Sequence, residues 1–424
     1  VFFGATAYGN GVRRLLKSLR HDTPAPSQAA ARLGLDGAGA YVMKVSHAGQ
    51  AGKLAFSRVL GGALSDSDVL TLSDGAQQRP GALFSVQGAQ TKKIAGAAEG
   101  DVIAIGKLDA AAGDLLAKSG AQKAARMPAK RFPVYQLAIA TKERKDDVRL
   151  SGALQKLAEE DAGLSVRHDP TTHEIVLQGQ GEPHLRLVIE RLKSRFGVDV
   201  SSAPPSTPYQ ETIRKSATKR GRHKKQTGGH GQFGDCVIEV RPQPRGEGFA
   251  FNDKITGGAI PKQWIPAVEA GVKEAMQKGP IGFPVVDVAV TLLDGSFHSV
   301  DSNEHAFTMA GRLGMNDALA ECDPVVLEPI EKLTIYTPSS GTPKINSAVS
   351  SRNGQILGFE SREGWPGWDQ VEVYLPHAER QAFIIDLRSM TQGLATFEAV
   401  FDHMVELNGR RAEDAARKAQ QNAA

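Results

Sequence analysis

The feature that most limits the fold of this sequence is an order of secondary-structure signals that occurs twice. In residues 134–203 and again in residues 327–409, apolar residues alternate or recur at helical spacing in the order strand, helix, strand, strand, helix, strand. This order is typical of the ferredoxin-like unit. The sequence therefore predicts two ferredoxin-like domains within a multidomain α+β chain.

The predicted helix at residues 183–196 illustrates these signals. Pro183 suits the first turn of a helix, because the N–H that it lacks would have no partner there. Gly197 follows the last turn, and the residues between form an apolar stripe: Leu185, Val188, Ile189, Leu192 and Phe196. The other elements of this segment are predicted at 134–140, 151–161, 164–168, 174–177 and 198–200. In the second segment, they are predicted at 333–336, 342–352, 355–361, 370–375, 377–390 and 395–401.

Four further regions surround or separate these domains. Residues 204–326 lie between them, residues 119–133 read as a linker, and residues 410–424 predict a short exposed helix. Residues 36–118 predict a small β-barrel, because glycine turns separate five β-rich runs: Tyr41–Val45, Lys53–Leu60, Val69–Leu72, Leu83–Gln87 and Val102–Leu108.

The first 26 residues are too short for a domain. They read as a strand end, a glycine turn and a helix that Pro24 and Pro26 bring to an end. Because the chain starts at Val1 rather than Met, inside an apolar run, we expect residues 1–26 to be the tail of a missing domain.

Composition excludes several classes of protein. The 51 Lys and Arg residues nearly balance the 47 Asp and Glu residues, and the net charge of +4 is too small for a histone-like polycation. The two cysteines, Cys236 and Cys322, form no CxxC pair, which argues against a disulfide framework or a cysteine zinc site. From these residues we expect no signal peptide, and no apolar run approaches the ~20 residues that a membrane span needs.

The densest charge in the chain lies in residues 213–225, where seven residues are Lys or Arg and none is acidic. A solvated loop is one interpretation of such a run. The following segment, Gln226–Asp235, has four glycines, which could form a wide hairpin turn or allow close approach to phosphates. Together, the cations and the bare backbone favour contact with a polyanion.

A second polar segment follows a predicted strand at 285–293. Asp294-Gly295 is a tight-turn signal, and Asp301 with Glu304 resembles a capping box for the next helix. A pair of catalytic carboxylates, Asp294 and Asp301, is the less favoured alternative. His298 could be a general base or an exposed contact residue, and the second interpretation is favoured.

Motifs for nucleotide, metal and nucleophile chemistry are missing. The chain has no P-loop sequence, no HExxH and no histidines with metal spacing. Gly229, Gly231 and Gly234 spell GxGxxG, but a β-rich run follows rather than a helix, so a dinucleotide site is not predicted. We expect that this chain is not itself an enzyme and binds no cofactor.

Several longer strings resemble translation elongation factor G. In its fourth domain they are Thr227-Gly-Gly-His-Gly-Gln-Phe-Gly-Asp and Asp294-Gly-Ser-Phe-His-Ser-Val-Asp. Gly181-Glu-Pro-His-Leu resembles part of its third domain, and Leu387-Arg-Ser-Met-Thr-Gln-Gly part of its fifth. Gly52-Lys-Leu resembles part of its second. The resemblance covers nearly the whole chain in the right order.

The resemblance implies a cytoplasmic, monomeric translational GTPase without its GTPase domain, whose parent would use GTP and magnesium. The fourth domain would be an elongated arm with a left-handed βαβ crossover. Its tip loops would contact ribosomal, transfer and messenger RNA in the decoding site, with His298 at the tip. The implied contact residues are Lys219, Arg220, Arg222, His223, Lys224, Lys225, Gln226, Thr227, Gly228, Gly229, His230, Gly231, Gln232, Ser296, Phe297, His298 and Asp301.

Departures from the family pattern leave alternatives open. His230 stands where the family commonly has Arg, Phe233 and Phe297 where it has Tyr, and Pro183 where it has Leu. The parent could therefore be a paralogue that acts in ribosome recycling, under stress or in antibiotic displacement. A third alternative is a stand-alone RNA-binding protein with the ferredoxin-like sheets as base platforms. Only Tyr135 and Tyr374 support it in the two strands considered.

Overall fold

A computed structural model describes residues 1–35, 37, 39–48, 52–88, 90–118, 132–226 and 231–423. They form two compact units, each of which is considered by itself. The first comprises Val1–Phe132, Thr141–Val166 and Pro183–Ser201, and the second comprises Pro133–Ala140, Arg167–Glu182 and Ser202–Ala424. Residues 119–131 of the predicted linker lie outside the described residues.

The first unit opens with α1 (Val12–Asp22) and α2 (Pro26–Leu33). Pro26 does not end a helix, as the sequence suggested, but begins α2, where its fixed φ suits the first turn. The helix predicted within the first 26 residues forms as α1, but its leucines at helical spacing are exposed: Leu15, Leu16 and Leu19.

The described residues of this unit then form ten strands: β1 (Gly39–Ala48), β2 (Gly52–Gly61), β3 (Leu64–Ser65), β4 (Leu70–Thr71), β5 (Gln77–Gln78), β6 (Ala82–Gln87), β7 (Gln90–Ile94), β8 (Gly96–Ala97), β9 (Val102–Gly106) and β10 (Leu115–Ala117). Eight form one antiparallel sheet in the order β5-β4-β10-β1-β2-β9-β6-β7, and β3 pairs with β8. All five predicted β-rich runs overlap these strands. Their inward residues form one apolar core, which includes Val42, Val59, Leu83 and Ile105.

The segment 134–203 has the predicted element order. Its elements are β11 (Tyr135–Thr141), α3 (Asp147–Glu160), β12 (Ser165–His168), β13 (Ile175–Gly179), α4 (Glu182–Phe196) and β14 (Val200–Ala203). The sheet order is β12-β13-β11-β14, and β11 pairs antiparallel with β13. Pro183 lies in the first turn of α4, as predicted, and the buried side of that helix is Leu185, Val188 and Leu192.

The arm, which we define as residues 204–326, contains β15 (Gln210–Ile213), β16 (Ala217–Lys225), β17 (Gln232–Pro242), β18 (Phe249–Asp253), α5 (Ile265–Met276), β19 (Val288–Ser296) and α6 (Glu304–Glu321). Its four-stranded sheet has the order β16-β17-β19-β18. Strands β18 and β19 run parallel, with α5 between them in the chain. The core lies between this sheet and the two helices and includes Ile238, Val268, Val290, Leu292 and Phe307.

The C-terminal segment repeats the strand and helix order with β20 (Pro324–Pro338), α7 (Thr342–Ser350), β21 (Gln355–Ser361), β22 (Trp368–Pro376), α8 (Arg380–Met390) and β23 (Thr396–Glu406). We call its sheet the C-terminal sheet. Strand β20 is much longer than predicted, because it pairs with β15 near its start and with β22 and β23 further along. Helix α9 (Arg410–Ala423) follows, and Arg411 of α9 donates to both oxygens of Glu328 at 3.1 and 2.5 Å. Within the described ranges, no helix is long and apolar enough to cross a membrane.

Candidate nucleic-acid interface

The basic run is mostly a β-strand, so the loop interpretation is wrong for Ala217–Lys225. This strand, β16, pairs antiparallel with β17 along its whole length, from Ala217 opposite Val240 to Lys225 opposite Gln232. Because side chains alternate along a strand, the pairing sorts the cations onto two faces. Apolar alternation does not reveal this strand, since the inward positions after Ala217 are Lys219, Gly221 and His223.

One set of residues on β16 faces α6. A Cβ at Gly221 would lie 2.0 Å from the carbonyl oxygen of Ala310, so only glycine allows this contact between strand and helix. On the same side, Lys219 pairs with Glu321 at the end of α6. The His223 ring lies 2.9 Å from the side-chain oxygen of Gln232. The structure therefore assigns Lys219 and His223 packing contacts within the arm.

The other set, Arg220, Arg222 and Lys224, alternates onto the open face of the sheet, opposite the helices. We call these three residues the basic face. The guanidinium of Arg222 lies 5.5 Å from the ring centre of Phe233, which is within cation–π range. In the described part of the chain, neither Arg222 nor Lys224 forms an ion pair. Their charges are thus available to an external anion, whereas the charge of Arg220 is paired with a carboxylate of the arm.

The partner of Arg220 is Asp235, which is fully buried although it lies on the same face. Arg220 donates to both carboxylate oxygens at 2.7 and 2.5 Å, and the Ser296 hydroxyl donates at 2.5 Å. Burial alone would raise the pKa of Asp235, but the hydrogen bonds from Arg220 and Ser296 outweigh it and lower that pKa below its usual range. The carboxylate therefore connects β16, β17 and β19 near the end of the sheet at which β19 stops.

Strand β19 extends to Ser296, so the predicted tight turn at Asp294-Gly295 is wrong. The register with β17 shifts between Leu292 and Asp294, which marks a bulge, and both turn candidates lie in the strand after it. Gly295 is needed for packing, since a Cβ there would lie 2.4 Å from the Asp235 carbonyl oxygen.

The segment after β19 is a compact loop held by its own hydrogen bonds. The His298 amide donates to the Ser302 hydroxyl at 2.8 Å, and that hydroxyl donates to the Phe233 carbonyl at 2.8 Å. The amides of Val300 and Asp301 point at the His298 Nδ1, at 3.3 and 3.2 Å. We call residues 297–302 the His298 loop.

Asp301 does not cap the following helix, so the predicted capping box is wrong. Asn303 is the N-cap of α6, and its side chain accepts a hydrogen bond from the Ala306 amide at 2.9 Å. Asp301 instead lies 3.3 Å from His298 Nδ1, and its carbonyl accepts from the Phe233 amide at 2.8 Å. A Cβ at Gly231 would lie 2.8 Å from the carboxyl carbon of Asp301, so a larger residue there would have to displace that side chain.

Two aromatic side chains and one imidazole are presented near this end of the sheet. The His298 side chain is 55% exposed, and its ring centre lies 6.4 Å from that of Phe233. Phe297 is 45% exposed and lies 5.9 Å from the ring of Trp264, which itself stacks on Phe307 of the core. The loop thus rests on a fixed aromatic base.

The structure brings together Gly231, Gln232, Ser296, Phe297, His298 and Asp301 at one end of the arm's sheet, with Lys225 and Gln226 exposed at the end of β16. Thr227, Gly228, Gly229 and His230 lie outside the described residues. Sequence reasoning missed Asp235 and Trp264. The only hint for Asp235 was an acidic residue that shares a strand with apolar neighbours.

Two kinds of reactive group were considered among the described residues, a metal cluster and a cysteine nucleophile. No group of three or more His, Cys, Asp or Glu side chains among them could hold a metal ion. Burial raises the pKa of the Cys236 thiol to about 12, so it is not a ready nucleophile. The site consists of cations, a glycine backbone and rings, which are the groups that contact nucleic acid.

Comparison with family models gives consecutive matches. The model described as Elongation Factor G, domain III matches residues 132–204, Elongation factor G, domain IV matches 205–323, and Elongation factor G C-terminus matches 325–415.

Similar proteins agree with these matches. The Elongation factor G-like protein of Synechocystis sp. is 43% identical over 412 residues, which are 96% of this chain and 61% of that protein. Elongation factor G of Aquifex pyrophilus is 40% identical over 377 residues, 88% of this chain and 54% of that protein. A crystal structure from Thermus thermophilus has a TM-score of 0.79 at 34% identity, over 97% of this chain and 61% of that one.

The chain thus spans between 54% and 61% of the length of these proteins. The three family models follow one another without overlap from residue 132 to residue 415, and the relatives match over most of the chain. This chain belongs to the elongation factor G family.

Proposed function

We propose that this chain is the ribosome-contacting part of a translational GTPase that promotes movement of transfer and messenger RNA during elongation. The observation that carries the proposal is that β16 directs Arg222 and Lys224 to the open face of the arm, at the end where the His298 loop lies. Membership of the elongation factor G family supports it. We expect the protein to act in the cytoplasm as a monomer, with ribosomal, transfer and messenger RNA as its partners.

In the proposed action, the arm occupies space beside the codon–anticodon pair. Arg222 and Lys224 would neutralise backbone phosphates, which positions the arm without reading sequence. His298 and Phe297, held by the hydrogen bonds of their loop, would touch bases or sugars. The fixed loop reduces the conformational entropy lost on contact.

We also propose the domain limits 1–26, 36–118, 134–203, 204–326, 327–409 and 410–424. In this proposal, the eight-stranded sheet closes as a β-barrel. The segments 134–203 and 327–409 are ferredoxin-like, because their sheets share one strand order. The connection β18-α5-β19 would have the left-handed crossover of the family.

GTP and magnesium do not fit the residues described here. The sequence has no P-loop, and the described residues include no metal cluster. The proposed action of the arm therefore involves no contact with the nucleotide. We propose that GTP hydrolysis belongs to another part of the parent protein and drives the placement of this arm.

A test on this chain is sedimentation with small ribosomal subunits at increasing salt. The variant Arg222→Gln/Lys224→Gln should bind more weakly, and its slope of log affinity against log salt should fall by about one for each lost phosphate contact. Lys219→Gln is the matched control, since it removes a cation of the same strand that faces α6 and pairs with Glu321. Equal effects of the two changes, or no effect of either, would refute the role of the basic face.

A test on the parent protein is toeprinting of pre-translocation ribosomes with GTP. We expect a one-codon shift of the messenger that His298→Ala slows. An unaltered rate in this variant would remove His298 from the working tip.

A second candidate is a paralogue that acts in ribosome recycling or under stress. It is favoured by the name of the Synechocystis relative, Elongation factor G-like protein, which matches over 96% of this chain. Ribosome-stimulated GTP hydrolysis by the parent without a messenger shift would support this candidate against the first, and subunit splitting would then be measured.

A further inference from the structure

The hairpin between β21 and β22 carries an exposed cluster that the arm does not explain. Two of the chain's three tryptophans, Trp365 and Trp368, lie in it, with ring centres 5.5 Å apart in an edge-to-face contact. Trp365 is 49% exposed, which is unusual for a side chain that normally contributes to a core or an interface.

A guanidinium fills the slot beside Trp365. The Arg362 side chain lies 4.2 Å from the ring centre of Tyr336 and 4.3 Å from that of Trp365, so the cation is held between two rings. We call Tyr336, Arg362, Trp365 and Trp368 the aromatic clamp. The position of Arg362 indicates that these rings favour guanidinium groups, because planar guanidinium groups stack on aromatic faces better than ammonium groups do.

The clamp is fixed before any partner binds. The Arg362 amide donates to the Trp368 carbonyl at 2.8 Å, the Trp365 amide donates to the Arg362 carbonyl at 3.1 Å, and the Trp368 amide donates to the Trp365 carbonyl at 3.1 Å. Gly364 and Gly367 have φ of +72° and +78°, which glycine adopts at little cost. Rigid aromatic groups with little entropy to lose are typical of interface hot spots.

The sheet beside the clamp is acidic. The register places Gln370 between Tyr336 and Glu360, and in the next row Glu372 and Glu398 lie on either side of Thr334. These rows lie on the face opposite α7 and α8, since the alternate residues Leu333, Val371 and Val373 belong to the core. Of the three carboxylates, Glu372 pairs with Lys332 at 3.0 Å and Glu398 accepts a hydrogen bond from Tyr336 at 3.3 Å.

This charge decides between two kinds of partner. Two aromatic residues on the central strands, Tyr336 on β20 and Tyr374 on β22, would suit base stacking, and sequence reasoning had weighed only Tyr374. However, Lys332 neutralises Glu372, and Arg362 is held between two rings, which leaves Glu360 and Glu398 without an ion-pair partner among the described residues. These two carboxylates would repel RNA phosphates, whereas they attract the cations of a basic protein.

We propose that this open face, with the aromatic clamp at its end, is a docking surface for an arginine-rich segment of a protein partner. Arginine side chains of the partner stack on the exposed part of the Trp365 ring and pair with Glu360 and Glu398. The proposal does not rest on the arm's contact with RNA, which uses other residues.

The test uses a fluorescently labelled peptide of alternating arginine and serine, added to the whole chain. Binding is followed by anisotropy and, in a Trp264→Phe background, by the emission of Trp365 and Trp368. We expect saturable binding that Trp365→Ala weakens about tenfold. Glu360→Gln/Glu398→Gln should weaken it too and reduce its salt dependence.

Controls separate the clamp from general charge. Phe359→Ala removes an exposed ring from the opposite face of the same hairpin and should leave affinity unchanged. Arg222→Gln/Lys224→Gln should also leave it unchanged, so this proposal and that for the arm fail independently. Equal binding of a lysine–serine peptide, binding that survives Trp365→Ala, or Trp365-dependent binding of oligouridine in its place would overturn the proposal.

Discussion

The arm and the C-terminal segment each place two helices on one face of a sheet, yet the helices meet the two sheets differently. In the arm, glycines allow backbone to touch backbone, between α6 and the sheet at Gly221, Gly234 and Gly314, and between α5 and α6 at Gly271 and Gly311. In the C-terminal sheet, large side chains lie between helix and sheet, and Phe383 of α8 lies 6.0 Å from Phe397 of β23.

The open faces differ as well. That of the arm carries Arg222 and Lys224, while that of the C-terminal sheet carries Glu360 and Glu398 beside an aromatic cluster. In the two proposals, a similar layer arrangement would therefore serve partners of opposite charge, because alternate residues of a strand can change one face without disturbing the other. The comparison also predicts that the C-terminal sheet is sensitive to loss of side-chain volume and the arm to gain of side-chain volume.

The largest effect is expected from loss of volume in the C-terminal sheet. Phe383→Ala should lower the free energy of unfolding by about 3–5 kcal/mol, because it leaves a cavity in a dense core. Urea unfolding can be followed by the emission of Trp365 and Trp368 in a Trp264→Phe background. Ile385→Ala changes an exposed position of the same helix, and its free energy of unfolding should stay within about 0.5 kcal/mol of that of the unmodified chain. A small effect of Phe383→Ala would mean that this core is loosely filled.

Gain of volume should damage the arm. Gly271→Ala should cost about 1–3 kcal/mol, because its Cβ would lie 1.9 Å from the Thr308 carbonyl oxygen of α6. This outweighs the gain in helix propensity, which is at most about 1 kcal/mol. The measurement is urea unfolding followed by Trp264 emission in a Trp365→Phe/Trp368→Phe background.

The control for this change is Gly152→Ala in α3, where a Cβ would meet no atom within 4 Å. Only the propensity term remains there, so circular dichroism should show a stabilised helix, by about 0.5–1 kcal/mol. Destabilisation at both positions would show that close approach is not the cause.

An effect no larger than that of Gly271→Ala should follow from removing the buried charge of the arm. Asp235→Asn should lower the free energy of unfolding by about 1–3 kcal/mol, because Arg220 and Ser296 lose their charged acceptor. The double variant with Arg220→Met should cost less than the two single changes together. Strict additivity would contradict the pairing.

The smallest effect concerns pH. Hydrogen bonds lower the pKa of Asp235 in the folded chain, so its contribution to stability is present above the pKa of the unfolded chain. That contribution is lost as the pH falls through the lower, folded-state pKa. On acidification, the thermal unfolding temperature of the unmodified chain should therefore fall more than that of Asp235→Asn. Parallel curves of unfolding temperature against pH would argue against a lowered pKa.

Local periodicity was sufficient for most elements, as Pro183 in α4 and strand β21 show. It failed where distant residues decide the outcome. Strand β16 has no apolar alternation, because Gly221 takes its place against α6 and Lys219 is matched by Glu321, 102 residues away. The Asp294-Gly295 signal was misleading, since the bulge before it depends on pairing with β17.

The cap of α6 shows a different limit. Asp301 and Asn303 both suit an N-cap, and the contacts of Asp301 with Phe233 and Gly231 decide between them. Those contacts join two loops that are about 70 residues apart in the chain, so no local pattern could reveal them. The charge of the basic run was visible, but the division into free and committed cations was not.

Strand β20 has a mechanical consequence. It leaves α6 as one continuous strand, pairs first with β15 on the way out of the arm, and then runs between β22 and β23 as far as Pro338. A force along this strand would load the hydrogen bonds to both neighbours in shear, so they would resist together rather than break one after another. Strand β20 therefore connects the arm to the C-terminal sheet and stretches little along the strand. A displacement at the base of the arm would reach the C-terminal sheet with little reduction.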